Sequence, residues 1–254
     1  MKKEIRIFFT ALMFFTRIPC PSYTDHDPEY LNRSAKYFTL VGIIVGSISA
    51  LVFYLSQWIF PLEIALLLSF VASILTTGAF HEDGFADVCD GFGGGWTKEK
   101  ILDIMKDSRV GTYGLVGLIL LMALKFTALH SIASPLIIPT IISAHAISRL
   151  NSVSLIYTDE YAREDLLSKA KPLATKMSTT DFLIACFFGL APLILMGNYY
   201  VFLSIIPLIL TKIYFSKYFN KWIGGYTGDC LGTVQQVSEV IYYLSVLLVL
   251  KFIG

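Results

Sequence analysis

Long apolar stretches recur along this chain, separated by shorter polar segments. A helix that crosses the hydrocarbon core of a bilayer needs about 20 mainly apolar residues, within a range of about 17 to 25. The stretches nearest that length are residues 37–60, 62–80, 113–132, 135–155, 182–196, 199–214 and 234–253. The fifth and sixth are short and flank Gly197 and Asn198, which favours a helical hairpin. The pattern predicts about seven membrane-spanning helices.

The basic residues concentrate in alternate connectors. Apart from Lys125, Arg149 and Lys251, every Lys and Arg lies before the first stretch, between the second and third, between the fourth and fifth, or around the end of the sixth. The connectors between those loops contain neither residue: they are 57–63, 131–135 and 197–199. Because cytoplasmic loops carry an excess of Lys and Arg, we expect the long polar loops to face the cytoplasm.

The composition agrees with a membrane protein. Apolar and aromatic residues make up 55% of the 254 residues. Charged residues make up 15%, against roughly 25% in soluble domains. The mean hydropathy is +0.66. These values exclude an intrinsically disordered chain and do not suit an ordinary soluble enzyme. The net charge of +1 gives no global attraction to nucleic acid, so we expect no nucleic-acid partner.

The N-terminal segment 1–21 begins like a signal peptide, but Arg17 and Pro19 stand where a small-residue cleavage site would be. We interpret it as an amphipathic interfacial helix that the mature protein retains. The four cysteines have no CxxC spacing and are typical of apolar filler with free thiols. We therefore predict an all-α fold, with residues 1–254 as one membrane-embedded domain. Its architecture would be a polytopic bundle of about seven transmembrane helices plus interfacial helices.

An acidic block, residues 81–95, follows the second apolar stretch directly and opens a predicted cytoplasmic active-site segment at 81–110. On a helix, Asp83, Asp87 and Asp90 share one face, and Glu82 points to a neighbouring face. Clustered carboxylates without His or Cys spacing favour Mg²⁺ or Mn²⁺. We therefore predict Glu82, Asp83, Asp87 and Asp90 as ligands of Mg²⁺, with two ions needed to reach the whole face.

Other interpretations of this block stay open. Acidic residues are common at helix N-termini, so the cluster could be a solvated helix end. Gly84 within the helix indicates that a ligand or another helix approaches its backbone. The glycine run 93–95 is compatible with a phosphate-binding loop and equally with a flexible turn.

The next segment, 98–109, has apolar residues on part of its surface and predicts a helix along the membrane interface. Asp107 is a further candidate ligand or a surface acid, whereas Asp103 favours the surface interpretation. Lys106 and Arg109 are candidates for holding a diphosphate, although each is equally suited to facing lipid headgroups.

Polar groups elsewhere give weaker signals. His145 and Arg149 lie one turn apart in the fourth apolar stretch, and Arg149 is a candidate phosphate ligand or a snorkelling cation. The polar residues Gln235, Gln236 and Glu239 predict a polar cavity at the start of the last stretch. A third group comprises Arg163 and the basic run 169–171, either anion-binding or topogenic, and Asp229, either a metal-shell residue or a helix cap. Lys125 has no clear role in the sequence.

The order of these motifs resembles one known family. The block 81–95, the segment 104–111 (IMKDSRVG), the loop 228–232 (GDCLG) and the N-terminal FFTRIP at 14–19 resemble the cobalamin synthases, which are adenosylcobinamide-GDP ribazoletransferases. The similarity extends over essentially the whole chain. No Walker A, GxGxxG, GxSxG or HExxH motif supports an ATPase, a dehydrogenase or a hydrolase.

The resemblance implies a specific reaction and partners. α-Ribazole, or its 5′-phosphate, would displace GMP from the corrinoid nucleotide adenosylcobinamide-GDP with Mg²⁺, giving adenosylcobalamin or its 5′-phosphate. It places Arg17 and His81 among the substrate-binding residues, and Asp90 or Asp107 would accept the hydroxyl proton. It also implies an enzyme of the cell (inner) membrane, in contact with lipid, with its active site on the cytoplasmic face. A homodimer is compatible with this sequence.

Two other functions fit parts of the pattern. An intramembrane prenyltransferase could bind a prenyl diphosphate through Mg²⁺ on Asp83, Asp87 and Asp90, but such enzymes usually carry a second acid-rich motif of similar density. A cation transporter would use the acids as an ion path. Transporters favour acids at mid-membrane, whereas these cluster at the cytoplasmic mouth.

Overall fold

The computed structural model describes residues 2–21, 24, 28–162 and 177–252, and within them the regular structure is helical. Arg163 and the basic run 169–171 lie outside the described residues. The helices are α1 (Lys2–Phe15), α2 (Pro28–Ser34), α3 (Phe38–Ser56), α4 (Leu62–Thr77), α5 (Phe80–Gly94), α6 (Lys98–Ile104), α7 (Thr112–His130), α8 (Ser134–Thr158), α9 (Thr179–Leu190), α10 (Ile205–Ile223) and α11 (Gly228–Phe252). An isolated bridge joins Tyr161 to Tyr226. The predicted all-α fold is confirmed.

The number of candidate membrane spans agrees with the prediction. Six helical runs in the described chain are long and apolar enough to cross a bilayer, and the bent pair α4–α5 makes a seventh if it counts as one span. The six runs are Glu29–Ser56, Thr112–His130, Ser134–Thr158, Thr179–Met196, Tyr199–Ile223 and Gly228–Phe252. The two helices of the predicted hairpin, α9 and α10, form and are joined through two 3₁₀ segments that flank Gly197 and Asn198.

The second apolar stretch is shorter than the sequence indicated. We expected it to run over 62–80, but α4 ends at Thr77. Gly78 adopts a left-handed conformation with φ 69°, which ends a helix at little steric cost. Ala79 is also left-handed, and α5 then leaves at an angle of 89° to α4. The acidic block thus forms a separate helix that runs across the direction of α4.

The packing order of the helices follows their polarity. Helices α8 and α11 are the most enclosed of these six runs. Within an apolar stretch of 18 residues in each, 72% of α8 and 67% of α11 is buried, against 17% in the run that contains α10. Large apolar side chains on the outer helices, including Ile119, Phe187 and Leu210, are exposed. A broad apolar outer surface around a partly polar interior is the arrangement expected of a bundle in lipid.

The two predicted interfacial helices differ in outcome. Helix α1 forms, and its apolar face, which includes Ala11, Leu12 and Phe15, packs on α3. Its Glu4 reaches Lys36 at 2.8 Å, and Lys36 also lies 3.1 Å from Asp181. The segment 98–109 is helical only as far as Ile104, because a tight turn with backbone bonds from residues 106 and 107 follows.

Candidate functional site

The acidic helix α5 is fixed at its start by the N-terminal segment. The backbone N–H of Arg17 donates to the Thr76 carbonyl at 2.7 Å. The guanidinium of Arg17 lies against Gly78, where a Cβ would come within 2.4 Å of Arg17 Nε. The ring of Phe14 packs edge-on against Phe80, with ring centroids 5.6 Å apart. Arg17, a predicted substrate-binding residue, is therefore an exposed side chain at the bend that leads into the acidic block.

Helix α11 packs so closely against α5 that the backbones of the two helices are in contact. A Cβ on Gly84 would lie 2.8 Å from the Asp229 Cα, so only glycine fits there. The Thr233 hydroxyl donates to the Gly84 carbonyl at 3.3 Å. The expectation that another helix approaches Gly84 is confirmed, and Asp229 is brought next to the acidic helix. The Thr227 hydroxyl, not Asp229, accepts the Cys230 backbone N–H at the start of α11. Thr227 therefore caps this end of α11, and both interpretations of Asp229, as a metal-shell residue and as a helix cap, stay predictions.

The predicted metal ligands occupy different environments. Asp83 is exposed and has no side-chain hydrogen bond or ion pair within the described part of the chain. Asp87 is half-buried. Glu82 is half-buried and accepts a bond from Gln236 Nε2 at 2.8 Å, while its second oxygen, Oε2, is buried without a partner among the described residues.

Asp90 has a structural contact that the sequence did not indicate. One of its oxygens accepts the Gly111 N–H at 2.7 Å and the other accepts the Gly114 N–H at 2.8 Å. A Cβ on Gly114 would lie 2.4 Å from the Asp90 carboxylate. Asp90 therefore caps the N-terminus of α7 from a neighbouring helix, where the free N–H groups of a helix need acceptors. Its roles as metal ligand and as base stay predictions.

The fit to Mg²⁺ depends on the kind of site. Among the described residues, no three His, Cys, Asp or Glu side chains are arranged to hold a metal ion by themselves. Mg²⁺ at a phosphate-transfer site is usually held by one or two carboxylates together with water and substrate phosphate. The free carboxylate of Asp83 and the unpartnered Oε2 of Glu82 suit a site of that second kind.

A cavity of about 500 Å³ brings several predicted site residues together. Asp90, Asp107 and Arg109 line it, beside Gly94 and Tyr113. Lys106 is exposed and does not line this cavity. The glycine run has a packing role here, because Gly93 lies directly against the Tyr113 ring.

Asp107 and Arg109 form a close pair at the mouth of that cavity. Arg109 donates to both Asp107 oxygens, at 2.6 Å from Nη2 and 3.0 Å from Nε. These bonds to the Arg109 side chain, with one from its backbone N–H, lower the pKa of Asp107 to about 2. The sequence offered two roles for Asp107, a surface acid and a metal ligand. The structure adds a third, because the carboxylate of Asp107 is paired with Arg109.

A second group of polar side chains lies inside the bundle. Lys125 of α7 lies 3.1 Å from Glu239 Oε1 and donates to Gln236 Oε1 at 2.5 Å. Gln235 and Tyr243 donate to the two oxygens of Glu239 at 2.8 Å and 3.0 Å. The sequence predicted a polar cavity at the start of α11; the polar side chains do face the protein interior, where they bond to other buried side chains. Sequence reasoning left Lys125 without a role; its one available signal was a single cation inside an apolar stretch.

Arg149 and His81 belong to this interior group and not to the cavity with Asp107. The Arg149 guanidinium is buried, donates to the His145 carbonyl at 2.8 Å and lies 5.4 Å from the centre of the Phe38 ring. The His81 ring stacks on Phe38, with centroids 5.6 Å apart. The alternative that Arg149 snorkels to the surface is wrong, because its side chain is enclosed by α3 and α8. Its phosphate-binding role stays a prediction.

Comparisons with known proteins agree on one family. The family model described as cobalamin-5-phosphate synthase matches residues 7–248. Proteins named adenosylcobinamide-GDP ribazoletransferase are similar to this chain. One from Shewanella frigidimarina is 46% identical and one from Leptospira interrogans is 44% identical, each over 97% of this chain and 96% of the relative. No solved structure matches. The chain therefore belongs to the cobalamin-5-phosphate synthase family.

Proposed function

We propose that this protein is an adenosylcobinamide-GDP ribazoletransferase, which joins adenosylcobinamide-GDP to α-ribazole or its 5′-phosphate with release of GMP. The observation that carries this proposal is the 46% identity with a relative of that name over nearly the full length of both chains. A helix with four carboxylates, placed beside a cavity with an Asp–Arg pair, supports it, because phosphoryl transfer depends on charge neutralisation and positioning.

We further propose that the reaction depends on Mg²⁺. Asp83 and Glu82 Oε2 would hold it together with water and substrate phosphate, with Asp87 on the next turn of the same helix, and it would neutralise negative charge on the diphosphate. Asp90 contributes less to such a site, since both of its oxygens accept backbone N–H groups of α7.

The Asp107–Arg109 pair suggests how the protein handles the acceptor proton. Arg109 is exposed, so the diphosphate of the corrinoid nucleotide would compete with Asp107 for its guanidinium. Once released, Asp107 regains a higher pKa and accepts the proton of the ribazole hydroxyl. The hydroxyl oxygen bonds to the phosphorus on the cobinamide side as the bond from that phosphorus to the GMP oxygen breaks.

We propose the location of the protein from the charges of its connectors. The basic loops, including the one with Lys106 and Arg109, would face the cytoplasm of a cell with this protein in its inner membrane. Lipid surrounds the exposed apolar helices in this proposal. A homodimer is a further proposal that the oligomeric state in detergent or lipid nanodiscs would test.

The experiment uses the purified full-length protein in detergent with adenosylcobinamide-GDP, α-ribazole and Mg²⁺. We expect GMP and adenosylcobalamin to appear in equal amounts, and EDTA to stop both. The Asp103→Asn protein, altered at an exposed acid outside the proposed site, serves as the control. A folded protein that releases no GMP with either acceptor would refute the proposal.

A further inference from the structure

A single glutamine connects the interior ion pair to the acidic helix. Gln236 of α11 accepts from Lys125 Nζ at 2.5 Å and donates from its Nε2 to Glu82 Oε1 at 2.8 Å. We propose that Lys125 and Gln236 are positioning residues for Glu82, and that they hold its carboxylate in place for a divalent cation. This inference rests on the proposed function for the identity of the cation.

The orientation of the Gln236 amide is fixed by its neighbours. A lysine ammonium only donates hydrogen bonds, and an ionised carboxylate only accepts them. The amide oxygen must therefore face Lys125 and the amide nitrogen must face Glu82. A flipped amide would place two donors together on one side and two acceptors on the other. The bond to Glu82 thus has a defined direction that depends on Lys125.

Lys125 is itself firmly held. Its side chain is 5% exposed and that of Glu239 is 3% exposed, so neither charge can turn to water. Both Glu239 oxygens accept further bonds, from Tyr243 and Gln235. Because a buried charge is stable only with its partner in place, this pair is a rigid anchor within the bundle. The ion pair joins α7 to α11, and Gln236 connects it to Glu82 on α5.

Glu82 has one oxygen left for a ligand. Oε1 accepts the Gln236 bond, whereas Oε2 is buried and has no hydrogen-bond partner among the described residues. A buried polar oxygen without a partner is costly, and a cation that binds it removes that cost. Asp83, the next residue, has a free carboxylate. Groups that orient a metal ligand typically change metal affinity by about 10- to 100-fold when they are removed.

The test measures cation binding directly. Mn²⁺ is titrated against the full-length protein in detergent without substrates, and free Mn²⁺ is followed by electron paramagnetic resonance. We expect Gln236→Met, which keeps the side-chain volume and removes both hydrogen bonds, to weaken Mn²⁺ binding by about 10- to 100-fold. The half-saturating Mg²⁺ concentration for GMP release should rise in parallel, with a smaller loss of kcat at saturating Mg²⁺.

Two further variants separate positioning from a loss of stability. Lys125→Met/Glu239→Gln removes both charges of this ion pair together and should weaken Mn²⁺ binding in the same way. If Gln236→Met does not fold, this double variant tests the positioning role on its own. Asn151→Leu removes another buried amide, which bonds to Leu208 and Ser238. We expect it to lower the unfolding midpoint and to leave Mn²⁺ affinity within about twofold of the wild type, because it has no contact with Glu82.

The outcomes distinguish this inference from the proposed function. Folded Gln236→Met or Lys125→Met/Glu239→Gln protein with wild-type Mn²⁺ affinity would overturn the positioning role, as would a wild-type protein that binds no Mn²⁺. Weakened Mn²⁺ binding in the variants, together with no GMP release by the wild type, would support the positioning role and refute the proposed transferase reaction.

Discussion

The charged side chains of the exposed cavity and those of the bundle interior differ in how strongly their partners are fixed. At the cavity, Asp107 pairs with a residue two positions away, and the guanidinium of Arg109 is exposed. In the interior, Lys125 pairs with Glu239 across more than one hundred residues, and both side chains are enclosed. Exposed charges can exchange partners at little cost, whereas buried ones cannot. The difference indicates that the cavity is suited to rearrangement during a reaction and the interior to holding a fixed geometry.

The largest effect should come from the free carboxylate on α5. We expect Asp83→Asn to lower GMP release by about 10³-fold, because a metal ion supplies several kcal/mol of charge stabilisation and each 1.36 kcal/mol is a factor of ten. Quantifying GMP by chromatography would measure this, with Asp103→Asn as the matched control. Turnover near the wild-type level would remove Asp83 from the proposed metal site.

The interior pair should affect stability strongly. Lys125→Met leaves Glu239 as a buried charge without its cation and should cost about 3–5 kcal/mol in unfolding free energy. Adding Glu239→Gln should recover part of that loss, since the carboxylate left without Lys125 is then removed, although the buried Arg149 also loses a nearby negative charge. Tryptophan fluorescence during denaturant titration in detergent would measure both. Equal stability of the single and the double variant would contradict the view of a coupled buried pair.

Asp90 offers a test between the two regions, because it lines the cavity and also holds two helices together. As a cap of α7 it should contribute stability, so we expect Asp90→Ala to cost about 0.5–2 kcal/mol. The same unfolding experiment measures the loss. If Asp90 acts instead as the base, turnover would fall sharply with no change in the unfolding midpoint.

The smallest effect concerns the pKa of Asp107. Arg109 keeps that pKa at about 2, so the carboxylate is ionised at every pH above that value. In Arg109→Met the pKa should rise toward the ordinary value of about 3.9. Carbon-13 NMR of labelled aspartate side chains would follow the titration. Because both groups are exposed, the unfolding midpoint should not change; an unshifted pKa would mean that Arg109 does not control Asp107.

The sequence predicted the local features of this protein well. The apolar stretches indicated the number of spans, and the spacing of Asp83, Asp87 and Asp90 indicated a helix. Gly84 was expected to be approached by a ligand or by another helix, and the backbone of Asp229 in α11 lies there. Each of these signals depends on residues close together in the chain, where helical periodicity gives the geometry.

Contacts between distant segments could not be predicted in the same way. The bond from Gln236 to Glu82 joins residues 154 positions apart, and no spacing rule encodes which helices pack together. Asp90 looked equivalent to Asp83 by periodicity, yet it faces the N-terminus of α7. The right-angled bend also escaped prediction, because Ala79 in a left-handed conformation has no sequence signature of its own.

That bend decides how the acidic row is presented. If α4 stands perpendicular to a bilayer, the right angle places α5 parallel to the membrane surface. The carboxylates of α5 then lie at the same depth in the membrane and are spaced along its surface. At 1.5 Å per residue, Asp83 and Asp90 are about 10 Å apart along the helix axis, and hence along the membrane surface. A bulky amphiphilic reactant and a small water-borne one can then meet the same row from different directions within a single layer of the membrane interface.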